Sequence, residues 1–216
     1  MRIAIIDSGV FEGHPHVGKV AAAVQITASG MGNDPLDRLG HGTAVAAAIR
    51  EKAPHADLYS VRVFGGRLAA SMEVILRALA WCRDQEIDLI NLSLGTSNPD
   101  HRTLFTAALA GNGVVVSAAN LLPGTLPGVI GVDVDAECPR DRYGYRDGVF
   151  WASPYPRPIE GVPPSRNLQG VSFAVANMTG LIAQRWPIGP RDDLRSRLAD
   201  AAQHAPRALS ELTGVL

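Results

Sequence analysis

The first ten residues, Met1–Val10, read MRIAIIDSGV. Ile3, Ala4, Ile5 and Ile6 form an unbroken apolar run, and an acid, Asp7, follows at once with Ser8 and Gly9 behind it. A run apolar at successive positions predicts a strand buried on both faces, as in a parallel sheet covered by helices. The chain is thus expected to start inside its own core. Asp7 then falls at the carboxyl end of the strand, where open α/β sheets gather ligands and reactive groups. The plain alternative is a turn, with Asp7 initiating it and Gly9 supplying the bend.

Similar runs recur and alternate with helical patterns. Strands are predicted over Arg2–Asp7, Asp57–Phe64, Ile87–Ser93, Gly113–Ala118 and Gly128–Val134, with a further one near Lys19–Thr27. Helices are predicted over His41–Glu51, Ala70–Gln85, His101–Gly111, Ser172–Arg185 and Arg191–Gln203. This alternation is the pattern of an α/β domain with a mostly parallel sheet. The segment Pro139–Gln169, rich in proline and tyrosine, reads as surface loops around one short strand, Val149–Ala152. At 216 residues the chain fits a single domain, 1–216.

Apolar residues make up 46% and charged residues 19%, which is globular, and the formal net charge is −1. That balance argues against nucleic acid or an anionic membrane as a partner held by bulk electrostatics. No apolar run approaches the ~20 residues that span a bilayer. The N-terminus lacks the zones of a signal peptide, so a cytoplasmic location is expected. Cys82 and Cys138 give neither a disulfide framework nor a metal spacing, and Cys82 reads as a buried thiol on a helix. His14 and His16 around a proline are weak metal ligands by spacing, and neither metal nor cofactor is expected.

Three further stretches share the placement of Asp7. In DRLGHGTAVAAAI, Asp37–Ile49, glycines flank His41 at the start of a helix. Glycines allow close backbone approach there, and the helix N-terminus favours a neutral imidazole able to act as a base. In GVSFAVANMTG, Gly170–Gly180, Ser172 opens an apolar helix, as an N-cap or as a nucleophile whose oxyanion meets the free N–H groups. In GVVVSAAN, Gly113–Asn120, a buried strand ends at Asn120, a turn residue or an oxyanion donor. Each has an ordinary structural explanation. Together an Asp, a His, an Asn and a Ser lie on one rim of one sheet, which is what nucleophilic acyl chemistry requires.

The sequence resembles the subtilisin-like serine proteases, whose triad has this chain order. The resemblance is carried by DSGV, DRLGHGTAVA, APHADLYSVRV, INLSLG, VVVSAAN and GVSFAVAN, in order and nearly end to end. It implies a three-layer α/β/α fold in a compact version with shortened loops. It implies Ser172 as nucleophile, His41 as general base, Asp7 as its orienter, and Asn120 with the Ser172 N–H as the oxyanion hole. Ser93, Leu94 and Gly95 would line the pocket for the side chain before the cut, and Leu68, Ala69 and Ala70 would pair with the substrate backbone as an added strand.

Several positions depart from the family motifs: Val171, Ala44, Ala119 and Ala176 stand where it has Thr, His, Gly and Pro. The loop after the His41 helix is short, so the calcium site it usually forms is expected to be absent. The segment LLPGTLPGV after Asn120 is cut short and is expected to leave the specificity pocket wide or incomplete. No propeptide is expected before the first strand. The resulting expectation is a peptidase acting on a peptide or protein precursor, such as leader removal, with the enzyme that modifies the same precursor as a candidate partner. The alternatives are a binding protein with a weak or dead site, and an acyl transferase or macrocyclase using the same acyl-enzyme.

Overall fold

The computed structural model describes residues 1–185 and 193–203. Strand β1, Arg2–Asp7, forms as read and lies in the interior of a nine-stranded sheet, with Ile3–Asp7 buried. The other strands are β2, Ala22–Thr27; β3, Gly30–Gly32; β4, Asp57–Arg62; β5, Leu89–Leu92; β6, Val114–Ala118; β7, Val129–Val134; β8, Tyr143–Arg146; and β9, Val149–Ala152. The helices are α1, His41–Lys52; α2, Met72–Asp84; α3, Arg102–Leu109; α4, Val171–Arg185; and α5, Leu194–Asp200. The strand order is β3-β2-β4-β1-β5-β6-β7-β9-β8. Only the outermost strands, β3 and β8, pair antiparallel with their neighbours; the rest is parallel.

Alternation along β1 divides the core. Ile3 and Ile5 pack with α1, α4 and Leu198 of α5, while Ala4 and Ile6 pack with α2 and the Phe105 face of α3. This makes three layers. From β4 the chain crosses β1 by way of α2 to reach β5, so the direction of strand addition reverses beside β1. A crevice forms at the carboxyl ends at such a reversal, and Asp7 lies there.

Two expectations need correction. The stretch from 139 to 169 contains a hairpin, β8–β9, and not one strand among loops. Its signal was Asp147-Gly148: both residues have positive φ, 52° and 81°, as a two-residue hairpin turn of the primed type requires. Tyr143 and Phe150 from this hairpin are fully buried, and the Tyr143 hydroxyl donates to the Leu198 carbonyl at 2.9 Å. The last helix is shorter than predicted, Leu194–Asp200, and residues 191–192 of the prediction lie outside the described residues. The short edge strand β3 was also unread. Cys82 is buried on α2 as expected.

Helices α1 and α4 pack closely, and a buried lysine ties them. Lys52 Nζ donates to Asn177 Oδ1 at 2.8 Å and to Ala48 O at 3.3 Å, and meets Glu51 Oε2 at 3.1 Å. Asn177 Nδ2 in turn donates to the carbonyls of Ser153 and Tyr155, both at 2.9 Å. Burial brings the Lys52 ammonium down to about 8 from 10.5, against the pull of Glu51. The unfolded chain therefore holds this proton over a range where the native protein has lost it, and stability gains from rising pH between those values. We expect wild-type stability relative to Lys52→Met to rise across that window; a difference independent of pH in alkaline urea titrations would refute this.

Candidate active site

Asp7 ends β1 fully buried. Its Oδ1 accepts the Ser8 N–H at 2.7 Å and the His41 Nδ1–H at 2.8 Å, while Oδ2 is buried without a partner among the described residues. His41 opens α1. Burial pushes its imidazole down, but the Asp7 hydrogen bond and the charges of Asp7 and Asp37 outweigh that and hold it above its ordinary 6.5. The approach of α1 to β1 requires Gly42: a Cβ there would sit 2.1 Å from the Gly9 carbonyl oxygen.

Asp37 secures this junction, and no role was read for it in the sequence. Its Oδ2 accepts the Thr43 N–H at 2.9 Å and the Thr43 hydroxyl at 2.6 Å. Its Oδ1 accepts the N–H groups of Leu39 and Gly40 and the Ser8 hydroxyl, each at 2.9 Å. Ser8 Oγ accepts the Gly42 N–H at 2.9 Å. The cap of α1 is thus an acid three residues before Gly40, working with a serine from β1's end; an Asp just ahead of a helix start was the available signal. Burial opposes the Asp37 charge, and the bonds from Thr43, Leu39 and Ser8 overcome it and lower its pKa. Asp37→Ala is expected to cost about 2 kcal/mol, measured by urea denaturation at neutral pH. The lowered pKa gives a stabilisation present above the ordinary 3.8 and lost as pH falls through the folded value, so the variant's deficit should vanish only in strong acid.

Ser172 lies in the first turn of α4, which begins at Val171. Its hydroxyl does not cap the helix. Ser172 Oγ donates to the Ser93 carbonyl at 3.3 Å, and Ser93 Oγ donates to the Ser172 carbonyl at 3.4 Å. Behind them runs a buried polar chain: Thr179 Oγ1 donates to Asn91 Oδ1 at 3.0 Å, and Asn91 Nδ2 to Ser93 Oγ at 2.7 Å. Asn91 is fully buried in the middle of β5, and a polar residue inside an apolar strand was the signal for it. The His41 ring lies against Phe173, the neighbour of Ser172, with centroids 5.5 Å apart. The Ser172 N–H is in a helical first turn, where no intrahelical acceptor exists. Asn120 is exposed in the turn after β6, its side chain unengaged among the described residues.

Ser93 and Leu94 are half-buried and Gly95 is exposed, directly after β5. The cleft beside them, expected to be wide or incomplete, is not wide. The shortened segment turns back, and Leu122 pairs with Thr96. Leu68, Ala69 and Ala70 lie outside any strand, before α2, and the Ala69 N–H is turned onto the Arg67 carbonyl at 2.8 Å. A separate groove of about 430 Å³ borders His41 through Gly40, between Phe11, His16 and Ala47 on one side and Arg157 and Leu168 on the other. Phe11 and Leu168 are 50% and 46% exposed at its rim, an apolar opening next to the site. Among the described residues, no group of three or more His, Cys, Asp or Glu is placed to hold a metal ion, and no helix is long and apolar enough to cross a membrane.

Residues 1–135 match the model of the subtilase family, and the chain belongs to that family. It is similar to subtilisin E of Bacillus subtilis, 30% identical over 130 residues, covering 55% of this chain and 33% of that protein. It is 26% identical over 238 residues to a thermostable alkaline protease of Halalkalibacterium halodurans, covering 94% of this chain and 62% of the relative. The matched region thus spans about a third of subtilisin E and under two thirds of the alkaline protease. Among solved structures, sphericase superposes with a TM-score of 0.71 at 23% identity, covering 92% of this chain and 82% of its own. A cold-adapted subtilisin-like serine proteinase gives the same TM-score at 18% identity, covering 92% and 81%. The fold is subtilisin-like, as the sequence motifs implied.

Proposed function

We propose that this subtilase is a serine endopeptidase. The observation that carries the reading is the 2.8 Å hydrogen bond from His41 Nδ1 to the buried carboxylate of Asp7. A histidine so held has its Nε2 left as the base and its imidazolium stabilised. Ser172 Oγ attacks the scissile carbonyl carbon and its proton passes to His41 Nε2. The oxyanion takes hydrogen bonds from the Ser172 N–H and Asn120 Nδ2, and collapse expels the amine, which receives the proton from His41. Water then loses a proton to His41, attacks the ester, and the carboxylate departs as the proton returns to Ser172. The Ser172 hydroxyl, which donates to the Ser93 carbonyl, must turn toward His41 for this step; such bonds often form only with substrate in place.

The substrate we propose is one precursor peptide or protein, from which a leader is removed. The groove beside His41, walled by residues of the 139–169 stretch, supports this as a docking surface supplying binding energy away from the cut bond. In size and architecture the chain resembles the short subtilase that trims the small, cross-linked subunit of quinohemoprotein amine dehydrogenase. The enzyme that modifies the same precursor is then a partner. A second reading, a subtilase-fold binding protein, draws on the Ser172 hydroxyl being engaged by Ser93. Incubation in ¹⁸O-water with the precursor peptides encoded beside this gene, and with casein in parallel, separates the two. The endopeptidase places ¹⁸O at each new carboxyl terminus and leaves casein nearly intact. No new termini at all favours the binding protein, and rapid degradation of casein contradicts the single-precursor proposal.

A further inference from the structure

Strands β5 and β6 are neighbours in register, Leu92 opposite Ser117, and the chain leaves their carboxyl ends as two adjacent segments, residues 93–96 and 119–122. Ser172 meets the first of these segments at its first residue, through the paired contacts with Ser93. An acyl group carried on Ser172 Oγ therefore sits at the mouth of the gap between the segments, and the side chain of the acyl residue has that gap to enter.

The gap is closed. Thr96 N–H donates to the Leu122 carbonyl at 3.0 Å, and Leu122 N–H to the Thr96 carbonyl at 2.9 Å. Nearer the sheet, Ser117 Oγ donates to the Leu94 carbonyl at 3.5 Å. A Cβ built on Gly95 would come within 2.7 Å of both Leu121 Cβ and the Leu122 carbonyl, where ordinary contacts are 3.4–4 Å. Leu121 can lie over this segment only because residue 95 has no side chain. Leu122 is 6% exposed and anchored in the core against α2 and α3, so the segment cannot swing out freely. A side chain entering here must break both Thr96–Leu122 hydrogen bonds and displace a core leucine.

We infer that the site takes glycine as the residue whose carbonyl Ser172 attacks, with Leu121 and the Thr96–Leu122 pair as the specificity-determining elements; this rests on the reading of Ser172 as the nucleophile. Alanine brings a methyl against Leu121 and ranks next. Leucine and phenylalanine are excluded first by the Leu121 side chain over Gly95 and, further in, by the closed backbone pair.

The test uses covalent probes, so that it needs no knowledge of the natural substrate. A fluorophosphonate without a peptide reports whether Ser172 is reactive. Three peptidyl diphenyl phosphonates of one sequence, carrying the glycine, leucine or phenylalanine side chain next to phosphorus, report what the gap admits. The glycine reagent is expected to label Ser172 faster than the phenylalanine reagent by roughly tenfold or more. Leu121→Gly, or the milder Leu121→Ala, is expected to narrow that ratio at least about threefold; comparing variant with wild type cancels the reagents' own reactivities. Phenylalanine or leucine reacting as fast as glycine, or a ratio unmoved in both variants, overturns the inference. So does fluorophosphonate labelling with no reaction of any peptidyl phosphonate. Failure of the fluorophosphonate itself instead removes the nucleophile assignment, and the inference with it.

Discussion

Ser172→Ala is expected to lower kcat by about 10⁶ while the protein folds normally. The serine is small, half-buried, and its hydroxyl makes one long contact to Ser93, so its loss leaves no buried group stranded. In the proposed mechanism turnover, by contrast, depends on the one oxygen that forms the acyl-enzyme. His41→Ala is expected to lose a similar factor, and the double variant little more, because attack and proton transfer are one event. Retention of substantial peptidase activity by Ser172→Ala, with circular dichroism unchanged, would assign the chemistry elsewhere.

Asp7→Asn is expected to lower kcat by about 10⁴. The amide keeps the shape of the carboxylate but not its charge, and it favours the wrong tautomer of His41. The pH profile makes the cause visible. In the proposed mechanism rate requires neutral His41, and the Asp7 bond and charge hold its pKa above 6.5 against burial. Wild-type kcat/KM should therefore climb through a limb above 6.5, and in Asp7→Asn the limb should move to lower pH, since burial then acts with less opposition. Stability carries the same signature with a definite sign. The raised pKa gives the native protein a stabilisation that is complete below 6.5 and fades as pH rises through the folded value. Asp7→Asn should remove that fade. An unshifted limb would mean that Asp7 and His41 are not coupled in solution.

Much of this site could be read from the chain. The apolar run of β1 gave the buried strand and located Asp7, because continuous apolarity has few other outcomes. The glycines around His41 gave a close approach, and the structure shows what is approached, the Gly9 carbonyl. Asp37 and Asn91 escaped reading for a physical reason. Beside its local partners each also binds one far away in sequence, Ser8 in one case and Thr179 in the other, and no local periodicity reports such a bond. Of a wide or an incomplete cleft, the wide alternative fails because shortening a loop does not by itself open a space. A shorter connection can instead be drawn back onto its neighbour, as Leu122 is onto Thr96. The hairpin at Asp147-Gly148 was locally legible, with a turn pair between alternating strands, but the density of prolines after it masked the signal.

The central claim is that Ser172, activated by His41 and Asp7, is a nucleophile. The most direct measurement is mass spectrometry of the whole protein after exposure to a fluorophosphonate, followed by location of the adduct. One adduct is expected, on Ser172, absent from Ser172→Ala and greatly slowed in His41→Ala. No adduct on the wild type, or an adduct on another residue that persists in Ser172→Ala, would contradict it.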